Sequence, residues 1–357
     1  MTASYNPDFD PSGIEGGVDT NALPWIPLPH VAGLSVKTLR ASAETGVFSV
    51  VMRLAAGSAW PATVHLGAMD MLVLSGELGC TGGELAGRFG AGTFGYIPAN
   101  ARVDGMRADA DTELLVTSHG AIAFMSAEGR GIASVLTSMD IRSAAYAQGI
   151  PLVPDSLAGC MQPRTAPAAH APLAMRAADA ASLVTGPVSG ATSVHPHFVD
   201  TRALPWLVNP DTPDVGLKIL RVSEETGFVS VIVRHNGVAP PHYHLGAADF
   251  MVLAGRIGYR AGPPEGYGPG VWFYEPAGAR HDATRRLTDD DLIYTANLFG
   301  PIQFDSGRGT PIAFVFSWMT YKAMADAAGS RLVRSHFPGD SSLLAREPLC
   351  TPEPSAR

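Results

Sequence analysis

Apolar residues in this chain fall in short runs, five or so long, separated by glycine, proline and small polar residues. Phe48-Ser49-Val50-Val51-Met52, Val229-Ser230-Val231-Ile232-Val233 and Leu292-Ile293-Tyr294-Thr295 are rich in β-branched side chains and too short to bury a helical face, so they predict strands. Gly270 to Glu275 predicts another, ending at Pro276 and Gly278, which mark a tight turn. Helical spacing is predicted only over 132–147 and 318–328. The 39 glycines and 29 prolines fit a chain of many turns. The pattern predicts an all-β protein.

The strand pattern is written twice. Val18-Asp19-Thr20-Asn21-Ala22-Leu23-Pro24-Trp25 returns as Val199-Asp200-Thr201-Arg202-Ala203-Leu204-Pro205-Trp206, and Glu44-Thr45-Gly46 returns as Glu225-Thr226-Gly227. His65-Leu66-Gly67-Ala68-Met69-Asp70 is matched by His244-Leu245-Gly246-Ala247-Ala248-Asp249, and Pro98 to Val103 by Pro276 to His281. Such self-similarity predicts two copies of one structural unit. The expected division is 18–147 for the first unit, 148–196 for a linker rich in alanine, proline and serine, 197–335 for the second unit and 336–357 for a tail. A length of 357 residues suits two cores rather than one.

Candidate chemistry is confined to the second copy. Side chains on a strand alternate faces, so His242 and His244 in His242-Tyr243-His244 point the same way and can share one ion. His281, opening the strand after the Pro276 turn, is placed to give a third imidazole. In the first copy Thr63 stands for His242 and Val103 for His281, and only His65 remains, so that copy is expected to be metal-free and structural. His119, aligned with Asn297, is a remote candidate for a second ligand there.

Gly237, His242, His244 and Gly255, followed by Gly270, Pro276, Gly278 and His281, resemble the two motifs of the cupin superfamily. The resemblance implies two tandem cupin barrels, double-stranded β-helices of jelly-roll type, with a few peripheral helices. It also implies a metal at His242, His244 and His281. Ala248 occupies the position of the usual cupin glutamate, with Asp249 one place on. Strand alternation turns Asp249 away from the imidazoles, although Leu245-Gly246-Ala247 could break it, so a ligand or supporting role for Asp249 stays open.

The His-Tyr-His run, the Tyr-Glu-Pro-x-Gly-x-x-His run and the Leu-Pro-Trp segments are similar to the cupin dioxygenases related to acetylacetone dioxygenase and 2,4'-dihydroxyacetophenone dioxygenase. That similarity implies Fe(II) held by three histidines, a small diketone or hydroxyketone (aryl ketone) and dioxygen as substrates, and carbon–carbon bond cleavage. Three neutral imidazoles leave the ion its full charge and open positions, as such chemistry needs. Glu275, replaced by Ile97 in the metal-free copy, is a candidate base or imidazole-orienting group, and Asp249 a second catalytic candidate. Tyr259, Trp272, Tyr274, Tyr294 and Asn297 are candidates for the substrate pocket. Zn(II), Ni(II) or Mn(II) would suit the same imidazoles in an isomerase or lyase, and a small-molecule-binding cupin without activity, like the cupin part of bacterial anti-sigma factors, is a third reading.

A net charge of −8 and the lack of a basic, aromatic-studded patch argue against nucleic acid and anionic membranes. No apolar run reaches membrane-spanning length, and the first residues do not read as a signal peptide. Three scattered cysteines fit a reducing, cytoplasmic setting better than a disulfide framework. Met251 and Leu253, apolar and pointing out of the barrel, would permit a homodimer.

Overall fold

A computed structural model of the chain describes residues 17–127, 131–157, 180–186, 195–259, 263–281, 283–305 and 311–336. Two antiparallel seven-stranded sheets dominate it, each completed to a barrel by two smaller sheets of three or four strands. Each barrel interior is a separate apolar core, one built on residues such as Met52, Met69, Ile97 and Phe124, the other on Val231, Phe250, Phe273 and Phe304. The architecture is all-β, in two tandem barrels.

Neither large sheet is made from one copy alone. Val18–Asp19, at the start of the first repeat, pairs with the strand Val271–Glu275 of the second barrel, while Phe198–Asp200, at the start of the second repeat, pairs with Thr93–Ile97 of the first. The repeated Val-Asp-Thr sequence explains the exchange. Thr20 Oγ1 donates to the Gly270 carbonyl at 2.7 Å and Thr201 Oγ1 to the Gly92 carbonyl at 2.8 Å. Lysines then hold each threonine from its own side, Lys37 Nζ donating to Thr20 O and Lys218 Nζ to Thr201 O.

The barrels pack through the outward faces of the two sheets, burying Leu72, Leu74, Phe94 and Leu115 against Leu220, Ile232, Trp272 and Tyr274. Met251 and Leu253 belong to this interface and are fully buried. The face from which a homodimer was expected is therefore covered by the chain's own other half.

Two expectations about local structure change. Residues Ile132–Leu136 form a strand, pairing with Ile122–Met125, and the helix occupies only Ser138–Ala147. Thr137 sets that boundary: its hydroxyl accepts from the Asp140 amide and the Asp140 carboxylate accepts from the Thr137 amide, a reciprocal cap that starts a helix at Ser138. The second helix spans Trp318–Ala327. The register also realigns His119. Asp70 pairs with Thr117 as Asp249 pairs with Asn297, so Asn297 corresponds to Thr117 and His119 to Phe299. Of the expected linker, 158–179 and 187–194 lie outside the described residues, as does the tail beyond 336.

Candidate metal centre

His242–His244 forms a strand in the small sheet, between Arg280–His281 and Ile302–Asp305. Its register sets His242 directly opposite His281. Cross-strand partners stand about 5 Å apart on one face, so the pairing brings the third histidine beside the His-x-His pair. The rings of His242 and His244 lie 5.0 Å apart. His242 Nδ1 is 2.9 Å from the Pro240 carbonyl, which can only accept, so Nδ1 carries a proton and the ring is held by it. Among the described side chains no three donor groups converge on one point, and that set excludes the His281 side chain.

Glu275 reaches the same place from the large sheet. It is buried, and its Oε2 lies 2.7 Å from His244 Nε2, the nitrogen a metal would need. Its cross-strand partner is Ala248, the position where cupins usually carry a glutamate. The missing carboxylate thus returns from the neighbouring strand, over a residue small enough to make room. Two imidazoles, a carboxylate beside one of them and a third histidine in strand register are donor types that a divalent ion takes.

The centre opens into a cavity of about 100 Å³ inside the second barrel, lined by Phe250, Tyr259, Tyr294, Phe304, Phe316 and Tyr321 among others. Comparing cross-strand pairs shows what makes room for it. Trp60 opposite Met106 becomes Ala239 opposite Thr284; Met69 opposite Ile97 becomes Ala248 opposite Glu275; Met52 opposite Leu114 becomes Val233 opposite Tyr294. Large apolar residues fill the first interior, and smaller or polar ones empty the second. Burial raises the Tyr294 and Tyr259 hydroxyls above the usual phenol range, and the Glu275 carboxylate adds to it. Both stay neutral donors.

The first barrel shows the matching loss. Val103 stands opposite Thr63 in the register that holds the histidine pair in the second barrel. His65 is completely buried with neither ring nitrogen hydrogen-bonded among the described residues, and burial lowers its pKa to about 4. His119 points elsewhere: its Nε2 is 2.7 Å from Asp70 Oδ2, and its ring meets Phe228 and Phe299 of the other barrel.

Of the residues singled out from sequence, Glu275, Tyr259 and Tyr294 line the cavity with His242 and His244. Asp249, Trp272, Tyr274 and Asn297 do not. Trp272 and Tyr274 belong to the packed face between the barrels. Asp249 accepts from Asn297 Nδ2 at 3.0 Å and from Thr117 Oγ1 of the first barrel at 3.4 Å, so strand alternation holds across Ala247 and turns it away from the imidazoles. Tyr321 and the three phenylalanines were missed, being part of ordinary apolar runs; for Tyr321, Phe250 and Phe316 the signal is the contrast with Ile141, Met71 and Leu136 in the other repeat, while Phe304 matches Phe124 and gives none.

A structure of a candidate dioxygenase from Nostoc punctiforme superposes with a TM-score of 0.51 at 14% identity, covering 86% of this chain and 87% of that one, and supports the fold. Oxalate decarboxylase from Bacillus subtilis covers 82% of this chain and 78% of its own at 13% identity, with a TM-score of 0.47. Acetylacetone dioxygenase from Acinetobacter johnsonii covers 34% of this chain and 85% of its own at 20% identity, with a TM-score of 0.32. No curated protein matches the sequence. The ChrR cupin-like domain matches residues 15–123 and again 194–299, one copy per barrel and together more than half of the length, so the chain belongs to that cupin family.

Proposed function

We propose that the chain is a non-haem Fe(II) dioxygenase that cleaves a carbon–carbon bond in a small diketone or hydroxyketone, with His242, His244 and His281 as ligands. The observation that carries this reading is the cavity inside the barrel that keeps the histidines, at positions where the other barrel carries Trp60, Met69 and Met52. Cavity walls of phenylalanine, valine and leucine exclude water and suit an apolar substrate body. No lysine or arginine lines the cavity among the described residues, which disfavours a small dicarboxylate whose second charge would lack a partner.

Bound Fe(II) would supply Lewis acidity and the redox electrons that dioxygen chemistry needs. The chain's own groups do the rest. Glu275, buried beside His244, is placed to take the acidic proton from a 1,3-diketone or hydroxyketone as its enolate forms. Tyr259 and Tyr294, neutral in that environment, offer hydroxyl donors to substrate oxygens. A reducing cytoplasm suits such an ion; Cys80 is buried, with its thiol pushed up to about 12, and among the described residues no helix is long and apolar enough to cross a membrane.

The test is elemental analysis of anaerobically purified protein together with oxygen uptake on 1,3-diketones and hydroxyacetophenones. One iron per chain with substrate-dependent uptake is the expected result. Zinc, nickel or manganese without uptake would replace this reading by a cupin isomerase or lyase, and no metal would leave a binding protein.

A further inference from the structure

One buried arginine is treated differently in the two halves. Arg40, on Leu34–Ala41, and Arg221, on Val215–Val222, hold equivalent places: the preceding carbonyls, Leu39 O and Leu220 O, accept from Val153 N and Val333 N. Both are buried, at 6% and 5% exposure. Each guanidinium lies over a tyrosine of the opposite barrel, Arg40 at 4.0 Å from the Tyr274 ring and Arg221 at 3.7 Å from the Tyr96 ring. Their remaining donors part company. Arg40 Nε donates to Asp155 Oδ1 at 2.6 Å, whereas Arg221 Nε and Nη1 have no hydrogen-bond partner among the described residues.

The chain shows why. Val153-Pro154-Asp155 is matched by Val333-Arg334-Ser335, so a serine stands where the other half supplies a carboxylate. Leaving guanidinium donors buried and unmet is costly, and a carboxylate is the natural acceptor for their fork. The equivalent place in the first half is open to solvent. Asp155 lines an open groove of about 650 Å³ and is 31% exposed there while touching Arg40; Ser335 lines the corresponding groove of about 470 Å³, with Ser223, Lys322, Arg334 and His336. Glu224 and Glu225, also on that groove, are exposed, and neither forms a described ion pair with Arg221.

We infer that the groove at Ser335 binds a small organic carboxylate, whose oxygens take the position of the Asp155 side chain against Arg221 Nε and Nη1. The ligand would fasten one barrel to the other, because Arg221 rests on Tyr96. This inference is independent of the metal and of the reaction.

The experiment is thermal unfolding of the full chain in sodium acetate against sodium chloride at constant ionic strength, with inorganic phosphate as a second probe. The intact protein should show a saturable rise in midpoint of about 2 °C or more in acetate. Ser335→Asp should show a raised midpoint in chloride and no further gain from acetate, and Arg221→Met should lose the acetate response. Asp155→Ser is the positive control, since it copies the vacant arrangement into the first half and should gain acetate sensitivity. A larger response to phosphate than to acetate would replace carboxylate by phosphate as the ligand class and overturn the proposal as stated. An intact protein indifferent to acetate while Asp155→Ser responds would overturn it, as would equal responses in the intact protein and Arg221→Met.

Discussion

Ala248 and Glu275 face each other across an antiparallel strand pair, and the second supplies the carboxylate that the first position lacks. With Glu275 Oε2 2.7 Å from His244 Nε2, loss of the charge should weaken metal retention. Glu275→Gln is expected to lower metal affinity about 10- to 100-fold, measured by competition with a chelator. Unchanged affinity would confine Glu275 to substrate chemistry.

The asymmetry between the barrels makes a simple comparison. His242→Ala should abolish metal binding, and Thr63→Ala, at the equivalent strand position, should leave the metal content as it was. Equal loss in both would mean that the first barrel also contributes to the centre.

Filling the cavity should separate binding of metal from use of substrate. Val233→Met restores the residue that the first repeat carries at this position, Met52. The expected product keeps its metal, because the histidines, Glu275 and its partner Ala248 are unchanged, and loses substrate-dependent oxygen uptake because the cavity of about 100 Å³ is occupied. Loss of metal along with activity would argue instead that Val233 is needed for the ligand geometry.

Two buried groups predict opposing effects of pH on stability. Burial raises Asp249 from 3.8 to about 7, the Arg40 charge and the Asn297 hydrogen bond opposing it and Asp70 adding to it. Between about pH 4 and 7 the folded chain then binds the extra proton, so this residue makes stability fall as pH rises, by no more than about 4 kcal/mol in all. His65 runs the other way: lowered from 6.5 to about 4, it makes the unfolded chain bind the extra proton, and stability rises with pH over that window. Denaturant midpoints from pH 4 to 7 should therefore change little in the intact protein. Asp249→Asn should leave a rising profile and His65→Leu a falling one; parallel profiles for the two variants would rule out this pairing of effects.

Much of this molecule is legible in its sequence, and the remainder is hidden for identifiable reasons. The His-x-His pair was readable because strand alternation is a local rule, and the repeat was readable because whole segments recur. Alternation also carried more than was drawn from it: Trp272 and Tyr274 have the opposite parity to Glu275 and so point out of the barrel, where they pack between the halves. The cavity depends on pairs such as Trp60 with Met106, which meet only once the register is known. The strand exchange lies beyond local reading altogether, since Thr20 and its acceptor Gly270 are 250 positions apart.

That separation bears on how the protein is made. Synthesis begins at the amino end, so Val18 and Asp19 leave the ribosome long before their partners Trp272 and Val271 exist. The first barrel likewise waits for Phe198–Asp200 to cover the exposed edge of Thr93–Ile97. Until most of the chain has emerged, each half shows an unpaired strand that invites the wrong neighbour. Phe198–Asp200 can close the first barrel well before Val271–Glu275 is made, so the leading segment is the last to be paired, and a nascent chain released early would carry it with nothing to join.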